Sequence, residues 1–465
     1  MLKFLCLLFS VIAVTSIEAK LPTYPFGDYP SKYWQFWWLY ETESRPGQNE
    51  TIIRPFYSSY HENLSDTYFY TSLYPIFYKQ KTNYWEKWTF LFIFNKDSTI
   101  HPDTGEDTDF NITPLLNWGS GETSRDRYYG IFPFYGQIRS KLSWAEINFV
   151  MFPIYSNWQN KEFKAHSILW PMIIWGSSDN RKEYRFIPFF SYKSHPGKFY
   201  HSSVLWPFVQ WGVDNLDKKE PSSYSFIFPF YNIKKSMHGN MGSYSYFWLP
   251  LLGGVFGYGY DKRTSEVDFN VLFFFIQYGY SNSKDYRKHI FFPFYGYSRF
   301  ASKEFTFITP FYLHMRSDTY GVRSEYYYSI PLFYYITKHF VKENRTDIYF
   351  KFWPLFKYHK DSEENVTWNL LSLFPIRSSS VERIWDPIWS IVEYKKFING
   401  EKRFSVFFRL YTQRWNDDEF HLYIPFLLDL SSEPDRFSWK FFYGFVGYER
   451  YQEHRKLQLF WFIEI

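Results

Sequence analysis

The chain has 465 residues, 26% of them aromatic, and carries 52 basic against 47 acidic side chains for a formal net charge of +5. The charges are spread along the whole length, so no basic block of the kind that tracks a phosphate backbone stands out, and nucleic acid is not an expected partner. A mean hydropathy of -0.40 with 21% charged residues excludes a helical membrane protein, whose spans each need about 20 consecutive apolar residues.

The first 19 residues have the layout of a secretory signal peptide. Lys3 is followed by an apolar run from Phe4 to Val14 and a polar stretch ending in the small residue Ala19. The run is too short to span a bilayer, and cleavage after Ala19 is expected, leaving Lys20 first. Cys6 precedes most of the apolar run, so it is not placed as a lipoprotein cysteine. It is also the only cysteine, so the mature chain would hold no disulfide and would depend on sheet pairing and burial.

From about residue 50 a short phrase recurs: an apolar pair, a proline, then another apolar pair. It reads IIRPFY around Pro55, LYPIFY around Pro75, IFPFY around Pro133 and MFPIY around Pro153. It continues through Pro171, Pro188, Pro207, Pro229, Pro250, Pro293, Pro310, Pro331, Pro354 and Pro425. The period is about 20 residues, a length that marks a repeat architecture. Charged clusters separate the phrases, among them SSDNRKE from Ser177, DNLDKKE from Asp214, YDKRTSE from Tyr260 and KDSEEN from Lys360; these are loop compositions. Each period is therefore read as one strand of about 10 to 14 residues and one turn. That predicts an all-β, antiparallel, up-and-down sheet of about 20–23 strands, forming a single domain over 20–465.

Alternation along the segments supports strands. Phe404, Val406, Phe408 and Leu410 fall on one face, with Ser405, Phe407, Arg409 and Tyr411 on the other. Phe350, Phe352 and Phe356 oppose Lys351 and Lys357, and Phe437 to Phe445 alternates with Ser438 to Val446. One apolar and one mixed face is the dyad pattern of a sheet between lipid and a wet lumen. The uncharged stretch Asn240 to Tyr260 is interrupted by Pro250, Gly253 and Gly254, and it reads as strand and turn rather than a helical span.

Closing such a sheet removes its edges, and in hydrocarbon closure is compulsory because every backbone group must be paired. The expectation is thus a transmembrane β-barrel of an outer membrane, with the lipid bilayer and the assembly machinery as partners. The last residues, Leu457 to Ile465, resemble the final strand by which such barrels are recognised for assembly, although those more often end in Phe or Trp. The phrase-and-turn pattern after a signal peptide is similar to predicted outer-membrane aromatic-repeat proteins of spirochaetes and related bacteria. That resemblance implies the location and assigns no residue a role. The recurrent proline argues the other way, since proline gives up a ladder bond and belongs at edges and bulges. Pro354 shares parity with Phe352 and Pro425 with His421, so the prolines do not form one ring. The alternative is a soluble periplasmic or surface protein, a hairpin stack or propeller whose Trp and Tyr stack on glycans or peptides.

No catalytic, cofactor-binding or metal residue is assigned. The histidines are scattered from His61 to His454 without metal-ligand spacing. GSGETSR from Gly119 lacks the ending of a phosphate-cradling loop, and GGVFGYG from Gly253 reads as a strand. The carboxylate pairs Asp417 with Glu419 and Glu363 with Glu364 fall in predicted turns. Asn-x-Ser/Thr sequons at Asn49, Asn63, Asn111, Asn344 and Asn365 are placed at turns as well.

Overall fold

A computed structural model describes residues 32–465 except 46–47, 63–65, 102–104, 124–125, 142–143, 161, 250–251 and 376. The predicted signal peptide, the phrase proline Pro250 and the sequon Asn63 lie outside the described residues.

The recurrent phrase folds as a turn. Around Pro153 the chain runs from the strand Trp144–Val150 through a turn into the strand Tyr155–Gln159. In this turn the Ile154 amide donates to the Met151 carbonyl at 2.7 Å, and the Phe152–Pro153 peptide is cis. This is the geometry of a type VI turn, with proline at its third position. The turns at Pro75, Pro133, Pro171, Pro207 and Pro354 close by the same bond, for example Phe134 N to Ile131 O at 2.8 Å.

Each period therefore holds two short strands, not one long strand. The described residues form 44 strands, most of them five to nine residues long, such as Arg181–Phe186 and Gly253–Asp261. The expected number of about 20–23 strands is corrected accordingly, because a turn rich in the same aromatics as its flanking strands hides the break between them. The segment read as one strand from Arg403 to Thr412 is the strand Lys402–Val406, a turn and the start of the strand Tyr411–Trp415. The ending from Leu457 likewise turns between His454–Leu459 and Ile463–Glu464. Pro354 and Pro425 lie in turns, where strand parity has no meaning and no ladder bond is forfeited.

The all-β, antiparallel, up-and-down architecture is what the chain adopts. Its described residues fall into two compact units. In the unit 84–309, each strand from Trp85–Phe90 to Lys303–Ile308 pairs antiparallel with its successor. In the other unit, formed by the described residues up to Asn83 with Pro310–Ile465, the same order holds within each chain segment. Because the direction reverses at every strand, alternate turns share an end of the sheet. Apolar phrase turns therefore line one end and charged turns the other.

Polar side chains are buried and apolar ones lie outside. Among the buried residues polar and charged side chains outnumber apolar ones, while Phe134, Phe189, Phe230 and Phe294 at the turns are 56–60% exposed. Buried polar groups and broad exposed apolar surface are the observations that call for an explanation in a folded chain. Apolar clusters are small: Trp158, Phe163, Ala165 and Ile174 in the first unit, and Tyr334, Ile336 and Tyr349 in the second.

Candidate functional site: a charged interior and a graded outer face

In the second unit an eleven-residue helix, Ser379–Trp389, is inserted in the connection between the strands Val366–Leu370 and Val392–Lys396, which still pair with each other. Ser378 starts it, its hydroxyl accepting from the Val381 amide at 3.5 Å. Glu382 lies in the first turn, where a negative charge suits the helix dipole. Pro387 lies within the last turn and lacks the amide that would bond the carbonyl of Arg383, four residues back. Arg54 Nε donates to that carbonyl instead, at 3.3 Å.

The helix carboxylates meet lysines of the sheet's inner face. Glu382 accepts from Tyr349 Oη at 2.5 Å, from Lys357 Nζ at 3.3 Å and from Lys351 Nζ at 3.5 Å. Asp386 accepts from Lys357 and, at 2.9 Å, from the Ser372 hydroxyl. Arg383 pairs with Glu50 at 2.8 Å. Burial works to raise the Glu382 carboxyl, but Lys357, Lys351 and the Tyr349 hydrogen bond outweigh it and hold Glu382 below the ordinary glutamate value. Burial raises Asp386, and the negative charge of Glu382 adds to this against the pull of Lys357.

Beside the helix lies a second set of buried ions. Glu41 is shared by Arg54 and Arg409, the latter at 2.8 Å. Arg409 also holds Glu393 through both carboxylate oxygens, at 2.8 and 3.0 Å, the bidentate geometry that suits a guanidinium. Arg403 bonds Glu43 and Glu401, each at 2.6 Å, and lies 3.6 Å from the Tyr33 ring centroid. Arg54 and Arg409 stand in apolar phrase turns, IIRPFY and FFRLY, in place of the usual aromatic. That exception, a guanidinium where the phrase otherwise carries an aromatic, is the signal of the site in the sequence. Burying several full charges is tolerated only when each is paired, and this pairing ties residues near 50 to residues near 400.

The first unit presents the second candidate, its outer face. The ladder brings like residues to the same height, counted from the apolar turns. At the first level stand Tyr135 opposite Val150, Ile173 opposite Phe186 and Ile276 opposite Phe291. Two residues further on, Trp175 faces Tyr184 and Tyr278 faces His289. Two further still, Arg139 faces Glu146 and Arg287 faces Arg299. On these strands polarity rises from apolar at the first level through Trp, Tyr, His, Asn and Gln to charge at the third, while Val213, Val267 and Tyr280 leave other places on the third level uncharged. The inner face bears small and polar groups, with Ser191 and Ser203 hydroxyls 2.7 Å apart and Glu183 buried between Arg181 and Arg185.

Neighbouring apolar turns are hydrogen-bonded to each other. Phe152 N donates to Pro133 O at 2.7 Å, Trp170 N to Pro153 O at 2.8 Å, Ile187 N to Met172 O at 2.8 Å and Leu205 N to Phe189 O at 2.9 Å. The ladder therefore continues through the turn row.

The remaining sequence features find ordinary places. Gly253–Asp261 is a strand, as expected. Glu363 and Glu364 lie in a turn where Glu364 pairs with Lys360 at 2.9 Å. Asp417 and Glu419 flank a turn closed by Asn416. Asn344 and Asn365 lie in turns, but Asn49 and Asn111 lie within strands, which corrects the expectation that all sequons sit at turns. Histidines pair locally with aspartates, as His201 with Asp214 at 2.7 Å and His421 with Asp429 at 2.8 Å. Among the described residues no cluster of three His, Cys, Asp or Glu side chains could hold a metal ion, and no helix is long and apolar enough to cross a membrane. No protein-family model and no curated protein matches the chain.

Proposed function

We propose that the chain is an exported outer-membrane protein, held in lipid by its aromatic turns and the apolar ends of its strands, with the polar strand faces turned to a closed interior. The observation that carries this reading is the inversion of polarity, with charges buried and aromatics outside. A row of turns in hydrocarbon must satisfy its own amides and carbonyls, and the turn-to-turn hydrogen bonds do so. The segment from Pro133 to Arg139 is apolar at its turn and at the first ladder level and charged at its far end, so its apolar end is the part suited to lipid. The helix and its ion pairs fill the inner face of the second unit, which suits a plugged shell or a surface-exposed protein better than an open pore. The lipid bilayer and the outer-membrane assembly machinery are the implied partners.

One observation favours a second reading. Six-residue strands such as Arg181–Phe186 are short for a membrane crossing, and they suit a soluble periplasmic or surface protein whose exposed Trp and Tyr stack on glycans or peptides. Fractionation separates the two. Recovery with the outer membrane, with faster gel migration before boiling in SDS than after, supports the first. Release of folded protein by osmotic shock alone overturns it in favour of the second.

A further inference from the structure

We infer that the outer face of the 84–309 unit is graded to seat in a single leaflet of anionic lipid, with phosphate-bearing headgroups resting on a level of basic side chains. This rests on the lipid reading above and adds to it a depth and a lipid class.

The depth follows from the register. From Pro133 in the turn to Arg139 at the charged level is about six residues, or ~20 Å along a strand rising about 3.3 Å per residue. At a tilt near 45° this is ~14 Å of height, against ~15 Å for half of a bilayer's hydrocarbon. The apolar turns and first-level residues such as Ile168 and Phe190 would fill that half. Trp175, Tyr192 and Trp211 on the second level would lie at the interface, where amphipathic rings collect.

The lipid class follows from charge. The third level carries Arg139, Lys164, Lys182, Lys235, Arg287 and Arg299. Arg139 and Arg299 face Glu146 and Glu304 across the ladder, and Glu86 is a third carboxylate of this level. Lys164, Lys182 and Arg287 are exposed and have no ion-pair partner among the described residues. Cations standing just above an aromatic level complement the negative surface of an anionic leaflet, each adding attraction there.

The test uses the full mature chain and vesicles of phosphatidylcholine with or without phosphatidylglycerol. The variant Lys164→Gln/Lys182→Gln/Arg287→Gln should lose on the order of 100-fold in partitioning to the phosphatidylglycerol vesicles, about fivefold per charge, and be unchanged on phosphatidylcholine alone. Equal partitioning of parent and variant on both compositions overturns the headgroup assignment while leaving the lipid reading intact. Failure of the parent to float with either vesicle overturns the lipid reading itself. For depth, Phe134→Cys and Asp217→Cys are introduced singly, the chain's own cysteine, Cys6, lying in the predicted signal peptide. A membrane-impermeant maleimide should label the Asp217 site and spare the Phe134 site from both sides of the vesicle. Labelling of the Phe134 site by reagent trapped inside overturns the single-leaflet depth.

Discussion

Arg54 and Arg383 are joined by a hydrogen bond that a proline makes room for: Pro387 offers no amide to the Arg383 carbonyl, and Arg54 Nε donates to it at 3.3 Å. The same guanidinium holds Glu41 and, at 3.2 Å, the Trp38 carbonyl. One buried side chain thus links the middle of the helix to the strands near the N-terminus and to the ion pairs of Arg409.

Glu41→Gln leaves Arg54 and Arg409 facing each other without the shared negative charge. Loss of one partner from a buried ion pair costs about 3–5 kcal/mol, so the urea midpoint should fall by a corresponding amount. The double variant Glu41→Gln/Arg54→Met should cost less than the sum of the single ones, because the neighbours share the interaction. Additive losses would mean that the pair does not interact.

The helix clamp should weaken in acid. The folded-state value of Glu382 is depressed, so its contribution is fully present above the unfolded value near 4.3 and is lost as the pH falls through the lower folded value. Melting temperature followed from pH 7 downward should drop below about pH 4.5, with a shallower drop in Glu382→Gln. Parallel curves would remove Glu382 from the account.

Two glycines of the first unit's inner face should respond differently to alanine. At Gly136, φ is +143° and an added Cβ would lie 2.1 Å from the Gly130 Cα, an atom of the backbone that cannot turn aside. At Gly257 the obstruction, at 1.8 Å, is the Asn270 side-chain oxygen, which can rotate. Gly136→Ala should cost about 2–3 kcal/mol and Gly257→Ala about 1 kcal/mol or less, a ranking that thermal unfolding in detergent can check.

Charge placed in the apolar turns should expel the protein from lipid. Phe134→Arg or Phe230→Arg should each weaken membrane partitioning by about 2–4 kcal/mol, the cost of a basic side chain deep in hydrocarbon. Far-ultraviolet circular dichroism should stay unchanged, since both side chains are exposed. Undiminished partitioning would place these turns outside the membrane.

Some of this was legible in the residues. The period, the charged turns and the antiparallel order could be read because each depends on neighbours in sequence. The break at Pro153 could not, because Phe149 to Tyr155 is one continuous apolar run, which has the composition of a buried strand and hides the turn inside it. The helix left two traces in the sequence, the serines Ser378 to Ser380 ahead of Glu382 and the longer phrase spacing between Pro354 and Pro425. Its Pro387 and its setting among strand repeats mask the helical period.

By itself the sequence determined the period of about 20 residues, the charged turns and the up-and-down antiparallel order, because turn chemistry and strand pairing between consecutive segments are local; that the apolar phrases are turns as well emerged only in the fold. Only the tertiary structure decided that the Lys351 and Lys357 side chains are buried beneath a helix, and that Glu43 meets Arg403, 360 residues away. A buried charge carries no mark in sequence of which distant partner will neutralise it; that choice is made when separate stretches of chain come together around a common interior.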